Sequence, residues 1–158
     1  MIIKSSTEFY NDLKADEHDR YSSWEHCYSH FMAARKENDV NLDYLSLQLA
    51  FYLASWGIYR GSSFLLQKDY RVHIPVVREI LSKKYDSLAG IECKNFRNES
   101  NQKLLKEINE FIANYYDEIR REVRSSALKN NLSETLITKI LMGTLGCVPA
   151  YDRYFVAE

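Results

Sequence analysis

The chain has 158 residues, a formal net charge of −1 at pH 7, and a hydrophobic fraction of 46%. This length fits one domain with its own core, and the near-neutral charge argues against a protein drawn to nucleic acid or anionic membranes by its overall field. Five glycines and two prolines are too few for a β-sandwich or barrel, which needs a turn about every ten residues. We therefore expect a single all-α domain over residues 1–158.

Three cysteines, Cys27, Cys93 and Cys147, are widely spaced and form no Cys-x-x-Cys pair. Their odd number predicts reduced thiols and not a disulfide framework. The N-terminus turns polar after residue 3, unlike a signal peptide, and the most apolar segment, residues 45–61, is interrupted by serine, glutamine and arginine. We expect a cytoplasmic protein that neither spans nor binds a membrane and holds no cofactor.

The first two helices are predicted from capping boxes of the form Ser-x-x-Glu. Ser5 and Glu8 form one box, which predicts a helix to about residue 16. Ser22 and Glu25 form the other, which opens a helix with one apolar face that ends near Asn38.

A third helix is predicted from Asn41, a favoured N-cap residue, to about Tyr59. Its apolar residues occupy nearly every side, which is typical of a helix at the centre of a bundle. Gly57 inside this helix indicates a close backbone approach by a neighbour, and Gly61 is expected to end it.

The second half of the chain predicts three further helices. Pro75 suits the first residue of a helix over residues 75–85, and residues 86–98 have no clear period. The longest helix is predicted for residues 101–124 and the last for residues 133–143. The fold prediction is therefore a single bundle of five to seven helices around the buried third helix.

A histidine pair raises the question of a metal site. His26 and His30 are four residues apart on a predicted helix, a spacing that lets two imidazoles share one ion. The metalloprotease pattern has glutamate after the first histidine, where this sequence has Cys27, and further ligands could come only from His18, Asp19 or Cys27. We interpret both histidines as edge residues of an amphipathic helix and expect no bound metal.

Residues 59–63 join the end of one predicted helix to the start of another. Free backbone amides, the hydroxyls of Ser62 and Ser63 and the guanidinium of Arg60 could converge there on an anion, although the glycine spacing and the lysine of a phosphate loop are absent. The alternative, which we favour, is a helix corner in which Ser62 caps and Arg60 pairs with an acidic residue.

The C-terminal segment is rich in residues that redirect a chain. Gly143, Gly146 and Pro149 predict that residues 143–155 dock against the third helix, with Tyr151 and Phe155 packed inward. The favoured alternative to a binding pocket is a buried ion pair between the Arg60 and Asp152 side chains. The candidate binding corner consists of Arg60, Ser62, Ser63, Tyr151, Asp152 and Arg153.

Two strings, ASWGIYRGSSFLLQKDY and TKILMGTLGCVPAYDRYF, resemble segments of small uncharacterised bacterial proteins, some of them carried on mobile or phage-derived DNA. This resemblance covers about a quarter of the chain and implies no activity. The second string is also similar to the helix, proline and catalytic aspartate of helix-hairpin-helix DNA glycosylases. It lacks their glycine-rich hairpin and the Thr-His pair after Asp152, so no catalytic role is assigned to Asp152.

No serine or cysteine stands in a nucleophile motif, whereas twelve tyrosines are many for this length, and tyrosine is favoured at interfaces. We therefore expect a non-catalytic interaction protein, a bacterial or phage-derived regulator or inhibitor that binds a protein partner. The alternative is a small-ligand protein or enzyme that binds an anion or nucleotide at the candidate binding corner. Homo-oligomers, and nucleic-acid binding through Arg120, Arg121 and Arg124, stay open.

Overall fold

The computed structural model describes residues 2–16, 18–123 and 133–151, and these residues form an all-α bundle without a β-strand. The described helices are α1 (Ile2–Ala15), α2 (Ser22–Ala34), α3 (Leu42–Ser55), α4 (Ile74–Ile80), α5 (Glu99–Glu122) and α6 (Glu134–Thr144). Four 3₁₀ turns separate α3 from α5, at Phe64–Gln67, Tyr70–His73, Lys83–Leu88 and Cys93–Arg97. The predicted helical bundle is confirmed. Within the described ranges, every helix is too short or too polar to cross a lipid bilayer.

Helix α3 lies at the centre of the bundle, packed against α2, α4, α6 and the 3₁₀ turn Tyr70–His73. Its inner face buries Leu49, Tyr52 and Leu53 completely, and the burial of each such side chain stabilises the fold by roughly 1.5–3 kcal/mol. Its outer face is exposed, with Phe51 retaining 64% of its accessible surface. The central position was predicted, but α3 is not buried on all sides.

Gly57, and not Gly61, ends α3. Gly57 has a φ of +73°, and its amide donates to the Ala54 carbonyl while the Ile58 amide donates to the Leu53 carbonyl, both at 2.9 Å. A left-handed glycine with these two bonds closes a helix by occupying its last free carbonyls. The predicted end at Tyr59 is therefore wrong by four residues.

Asparagine side chains begin the two best-capped helices. The Asn41 side chain accepts a hydrogen bond from the Tyr44 amide at 2.9 Å, which confirms the predicted start of α3. The Asn98 side chain likewise accepts from the Ser100 amide at 2.8 Å at the start of α5. Each cap satisfies an amide that has no partner inside its own helix.

Neither predicted capping box starts its helix. Helix α1 begins at Ile2, ahead of Ser5, and α2 begins at Ser22 itself, so that neither serine occupies the N-cap position. The Ser23 hydroxyl donates instead to the Arg20 carbonyl at 2.6 Å. Tight turns before α2 thus replace the predicted box.

The predicted boundaries also shift in the second half. Pro75 is the second residue of α4, which ends at Ile80, five residues early. Residues 86–98, predicted as irregular, contain the end of the 3₁₀ turn Lys83–Leu88 and the whole of the turn Cys93–Arg97. Helix α5, with 24 residues, is the longest described helix; it buries Tyr116 completely and leaves Tyr115 half-buried.

Helices α6 and α3 approach each other at Gly143. A Cβ at this position would collide with the ring of Tyr52 on α3, so the packing of the two helices requires a residue without a side chain. The Tyr52 hydroxyl also donates to the Lys139 carbonyl at 3.1 Å. These contacts hold α6 directly against the central helix.

After α6 the chain reverses direction and returns along α6. Gly146, with a φ of +64°, allows the reversal and lies against the Tyr28 ring. The Tyr151 amide then donates to the Thr138 hydroxyl at 2.9 Å, and the Thr135 hydroxyl donates to the Tyr151 carbonyl at 2.7 Å. The described tail therefore contacts α2 at Tyr28 and α6 at Thr135 and Thr138, and the predicted contact with α3 is described at Gly143.

Candidate functional site

The first candidate site surrounds Trp56, where the end of α3 meets the start of α2 and the middle of α6. The Tyr21 ring packs edge-on against the Trp56 ring with centroids 5.3 Å apart. Lys139 Nζ donates to the Trp56 carbonyl at 2.8 Å and lies 5.5 Å from the Trp56 ring centroid. We call Tyr21, Trp56, Arg60 and Lys139 the Trp56 corner.

Lys139 is a buried cation, with only 7% of its surface exposed. A buried ammonium needs partners, since removing its charge from water is costly. The Trp56 carbonyl belongs to the negative end of the α3 dipole, and the indole face adds a cation–π contact. Sequence reasoning missed Lys139, although it is the one basic residue of α6.

The Trp56 indole carries a buried donor without an acceptor. Its Nε1 atom is fully buried and has no hydrogen-bond partner, a state shared among the described side chains only by Arg35 Nε. The Arg35 guanidinium is already held by the Ile80 carbonyl at 2.7 Å and by Asp86 at 2.8 Å. An unsatisfied buried donor costs about 1–3 kcal/mol, so an acceptor brought to Trp56 Nε1 would recover that energy.

Two guanidinium groups lie against neighbours of Trp56, at Gly57 and at Tyr21. The Arg60 guanidinium folds over Gly57, where a Cβ would be 3.0 Å from Arg60 Cζ. Arg20 Nη2 donates to the Tyr21 hydroxyl at 3.0 Å, and its guanidinium lies 4.9 Å from the Tyr21 ring centroid. The Trp56 corner thus contains two cations, Arg60 and Lys139, and Arg20 lies beside its Tyr21.

The predicted binding corner is described only in part. Arg60, Ser62 and Ser63 follow Trp56 in one short turn, where the Ser63 amide donates to the Arg60 carbonyl at 3.1 Å. Ser63 precedes the 3₁₀ turn Phe64–Gln67 without a side-chain cap. Tyr151 lies on α6, bonded to Thr138 and Thr135. Asp152, Arg153 and Phe155 fall outside the described residues, and so does the predicted pair of Arg60 with Asp152.

The second candidate site is an apolar stripe on the outer face of α3. Tyr44, Leu47 and Phe51 are 42%, 47% and 64% exposed, and Ala54 is exposed one turn further on. Their spacing of three, four and three residues places them in one row along the helix. We call Tyr44, Leu47, Phe51 and Ala54 the outer stripe.

Polar and charged side chains surround the Tyr44 end of the outer stripe. The Tyr44 hydroxyl lies 3.3 Å from His30 Nε2, and Asp43 beside it pairs with Arg71 at 3.3 Å. The middle of the row, at Leu47 and Phe51, carries no charge of its own. A row of exposed large apolar side chains on a central helix is typical of a docking surface.

A shallow groove of about 290 Å³ lies between α5, α6 and the returning tail. Leu105, Leu141 and Val148 supply apolar lining, and Lys106 brings a cation. The Lys106 ammonium already faces Glu110 at 3.8 Å. The lining residues are Gln102, Leu105, Lys106, Asn109, Thr138, Leu141, Val148 and Tyr151.

His73 is completely buried between two tyrosine hydroxyls. Its Nε2 lies 2.6 Å from the Tyr59 oxygen and its Nδ1 2.5 Å from the Tyr116 oxygen. Burial lowers the pKa of His73 to about 3 and raises the pKa of Tyr59 to about 12. All three groups are therefore neutral at pH 7 and form a structural hydrogen-bond chain. Sequence reasoning missed it because no local spacing connects these residues.

The two histidines of the hypothetical metal site are not part of any assembled ligand set that the structure describes. His26 is exposed, and His30 contacts Tyr44. Within the described ranges, no three histidine, cysteine, aspartate or glutamate side chains are grouped to hold a metal ion. Burial raises the pKa of both Cys27 and Cys147 to about 12, so these thiols are weak nucleophiles at neutral pH.

Comparison with known proteins assigns no relative to this architecture. No protein-family model matches the chain, and no curated protein or solved structure is significantly similar to it.

Proposed function

We propose that the protein is a non-catalytic interaction protein that binds an apolar helix of a protein partner on the outer stripe of α3. The observation that carries this proposal is the exposure of Phe51, at 64%, in the middle of the most central helix of the bundle. Leaving such a ring in water forgoes roughly 1.5–3 kcal/mol that its burial would supply. A partner that covers it recovers this free energy.

The geometry of the outer stripe suits a helical partner. Anchors at spacings of three, four and seven residues are how one helix recognises another in an apolar groove or seam. Because Leu47 and Phe51 have no charged neighbour in the row, the complementary face is apolar. Asp43 and Arg71 at one end of the row are placed to set orientation, as rim charges do at many interfaces.

A photo-crosslinker placed at position 51 tests this proposal. The full chain carrying p-benzoylphenylalanine in place of Phe51 is irradiated in cells that express it. The matched control carries the same group in place of Glu110, a 60% exposed side chain of α5. We expect discrete adducts from position 51 that disappear in the Leu47→Asp background and are absent from position 110. Equal patterns at both positions, or no adduct at position 51, would refute the proposal.

A second candidate function, the binding of a phosphate-like anion, is favoured by one specific observation at the Trp56 corner. The indole Nε1 is a buried donor without an acceptor, and Lys139, Arg60 and Arg20 bring cations to the same neighbourhood. An oxyanion accepts hydrogen bonds from an indole and from guanidinium and ammonium groups at once. This combination suits an anion more than an apolar ligand.

Thermal unfolding with inorganic phosphate, sulfate and ATP as probes tests the anion proposal. Ligand binding raises the melting temperature with increasing ligand concentration by mass action. The Trp56→Phe variant retains the aromatic ring and loses the donor, so its shift should be smaller than that of the unmodified chain. If none of the three probes shifts the melting temperature, or if Trp56→Phe leaves the shift unchanged, the Trp56 corner is not an anion site.

A further inference from the structure

Helix α1 is the helix least packed against the bundle. Among the described residues, α2, α3, α4, α5 and α6 form extensive helix–helix contacts with one another, and α1 does not take part in them. Tyr10 is 50% exposed and Leu13 is half-buried. A 14-residue helix is marginal in water without tertiary packing, so α1 needs a surface to cover it.

The sequence of α1 repeats the spacing of the outer stripe. The stripe residues of α3 follow each other at intervals of three, four and three. Positions 3, 6, 10 and 13 of α1 follow the same intervals, with isoleucine, serine, tyrosine and leucine. Residues that follow each other at alternating intervals of three and four form a seam, along which two helices pack at a small crossing angle.

The two helices also match in length. Helices α1 and α3 have 14 residues each, which corresponds to about 21 Å at 1.5 Å per residue. Exposed lysines stand near both ends of α1, Lys4 and Lys14. In either direction of packing, one of them comes near the exposed Asp43 at the N-terminal end of the outer stripe.

The connection between α1 and α2 contains tight turns on both sides of residue 17. The Asp16 side chain accepts from the His18 amide at 2.9 Å, and the Asp19 side chain accepts from the Tyr21 amide at 2.8 Å. The Asp19 amide also donates to the Asp16 carbonyl at 3.1 Å. Among the described residues α1 makes no extensive contact with α3, and Phe51 of the same chain is 64% exposed.

We infer that α1 of one copy docks on the outer stripe of a second copy, and that the exchange is reciprocal. This inference rests on the proposed function of the outer stripe and names its partner as another molecule of the same chain. A two-fold dimer of this kind buries two helix–helix seams, because every contact occurs twice. Stable interfaces bury about 1,200–2,000 Å² in total. Two helix–helix seams bury more surface than the single seam that an α3–α3 contact would give, so the reciprocal exchange is favoured.

Light scattering and analytical ultracentrifugation of the full chain at increasing concentration test the dimer. We expect a dimer that Phe51→Asp and Leu13→Asp each convert to a monomer, since each introduces a charge into both seams. Glu110→Ala, on the polar face of α5, is the matched control and should stay dimeric. Circular dichroism of each variant confirms that its helix content is unchanged.

Mixing the two monomeric variants distinguishes reciprocal exchange from other dimers. The Phe51→Asp chain keeps a competent α1, and the Leu13→Asp chain keeps a competent outer stripe. An equimolar mixture should therefore form a heterodimer through one intact seam, more weakly than the unmodified dimer. A dimer that survives Leu13→Asp, or two monomeric variants that do not associate, would overturn the exchange.

The failure of this inference and that of the proposed function give different results. A chain that stays monomeric at every concentration, but crosslinks from position 51 to another protein, overturns the dimer and retains the docking function. A chain that stays monomeric and gives no adduct from position 51 overturns both. An adduct from position 51 that maps to α1 of a second copy supports both.

Discussion

His73 Nδ1 lies 2.5 Å from the hydroxyl oxygen of Tyr116, a bond that joins the 3₁₀ turn Tyr70–His73 to the middle of α5 in the fully buried core. The second ring nitrogen binds Tyr59, which belongs to the segment after α3. A neutral imidazole offers one donor and one acceptor, so both ring nitrogens are satisfied only with the proton on a single side. Three distant segments are thus held by one uncharged side chain.

The first prediction concerns the pH dependence of stability. Burial lowers the pKa of His73 from 6.5 to about 3 in the folded state, so below pH 6.5 the unfolded chain takes up a proton that the folded chain does not. The stabilisation is complete above pH 6.5 and is lost as the pH falls toward 3, by at most about 1.4 kcal/mol per pH unit. Urea unfolding between pH 7 and pH 5 measures this slope. His73→Phe should flatten it.

The second prediction concerns the hydroxyl of Tyr116. Tyr116→Phe keeps the ring but leaves His73 Nδ1 buried without its partner, which should lower the free energy of unfolding by about 1–3 kcal/mol. The control is Tyr115→Phe, which removes a bond from a half-buried hydroxyl to the Val72 carbonyl and should cost less. Urea unfolding measures both variants. An equal loss of unfolding free energy in the two would show that the bond to His73 stabilises the protein no more than the bond to Val72.

The third prediction concerns Gly143. In a helix without close neighbours, Gly→Ala stabilises by about 1 kcal/mol, because alanine is the better helix former. Here a Cβ would collide with the Tyr52 ring, and overpacking of this kind typically costs about 1–3 kcal/mol. Gly143→Ala should therefore destabilise the protein, and Gly143→Val should do so more strongly. A stabilised alanine variant, measured by thermal unfolding, would contradict the close approach of α6 to α3.

The features predicted correctly from the sequence are those encoded by neighbouring residues. The Asn41 cap depends on the amide three residues later, and the all-α class follows from periodicity within each helix. The predicted end of α3 is wrong because Gly57 and Gly61 are equally able to adopt a positive φ. Only the packing around the helix end decides which of them terminates it.

The residues of the candidate sites also differ in whether neighbouring residues in the sequence reveal them. The sequence identifies Arg60 as a candidate because it lies next to a predicted helix end, but no local pattern singles out Trp56, four residues before it. Lys139 bonds to Trp56 across 83 positions of sequence, and His73 bonds to Tyr116 across 43. No spacing within a single chain segment encodes such pairs, so only the folded structure brings them together.

The last prediction concerns the C-terminal segment. In the described tail Cys147 is only 3% exposed, and the Tyr151 backbone forms two hydrogen bonds with Thr135 and Thr138 of α6. Deletion of residues 147–158 removes this packing and exposes apolar surface on α6 that the tail covers, at about 25 cal/mol for each Å². We expect a marked fall in melting temperature. A second truncation, lacking only residues 152–158, is the matched control, because the difference between the two variants reports residues 147–151 alone. If both truncations melt at the same temperature, the contacts of Cys147 and Tyr151 do not stabilise the bundle.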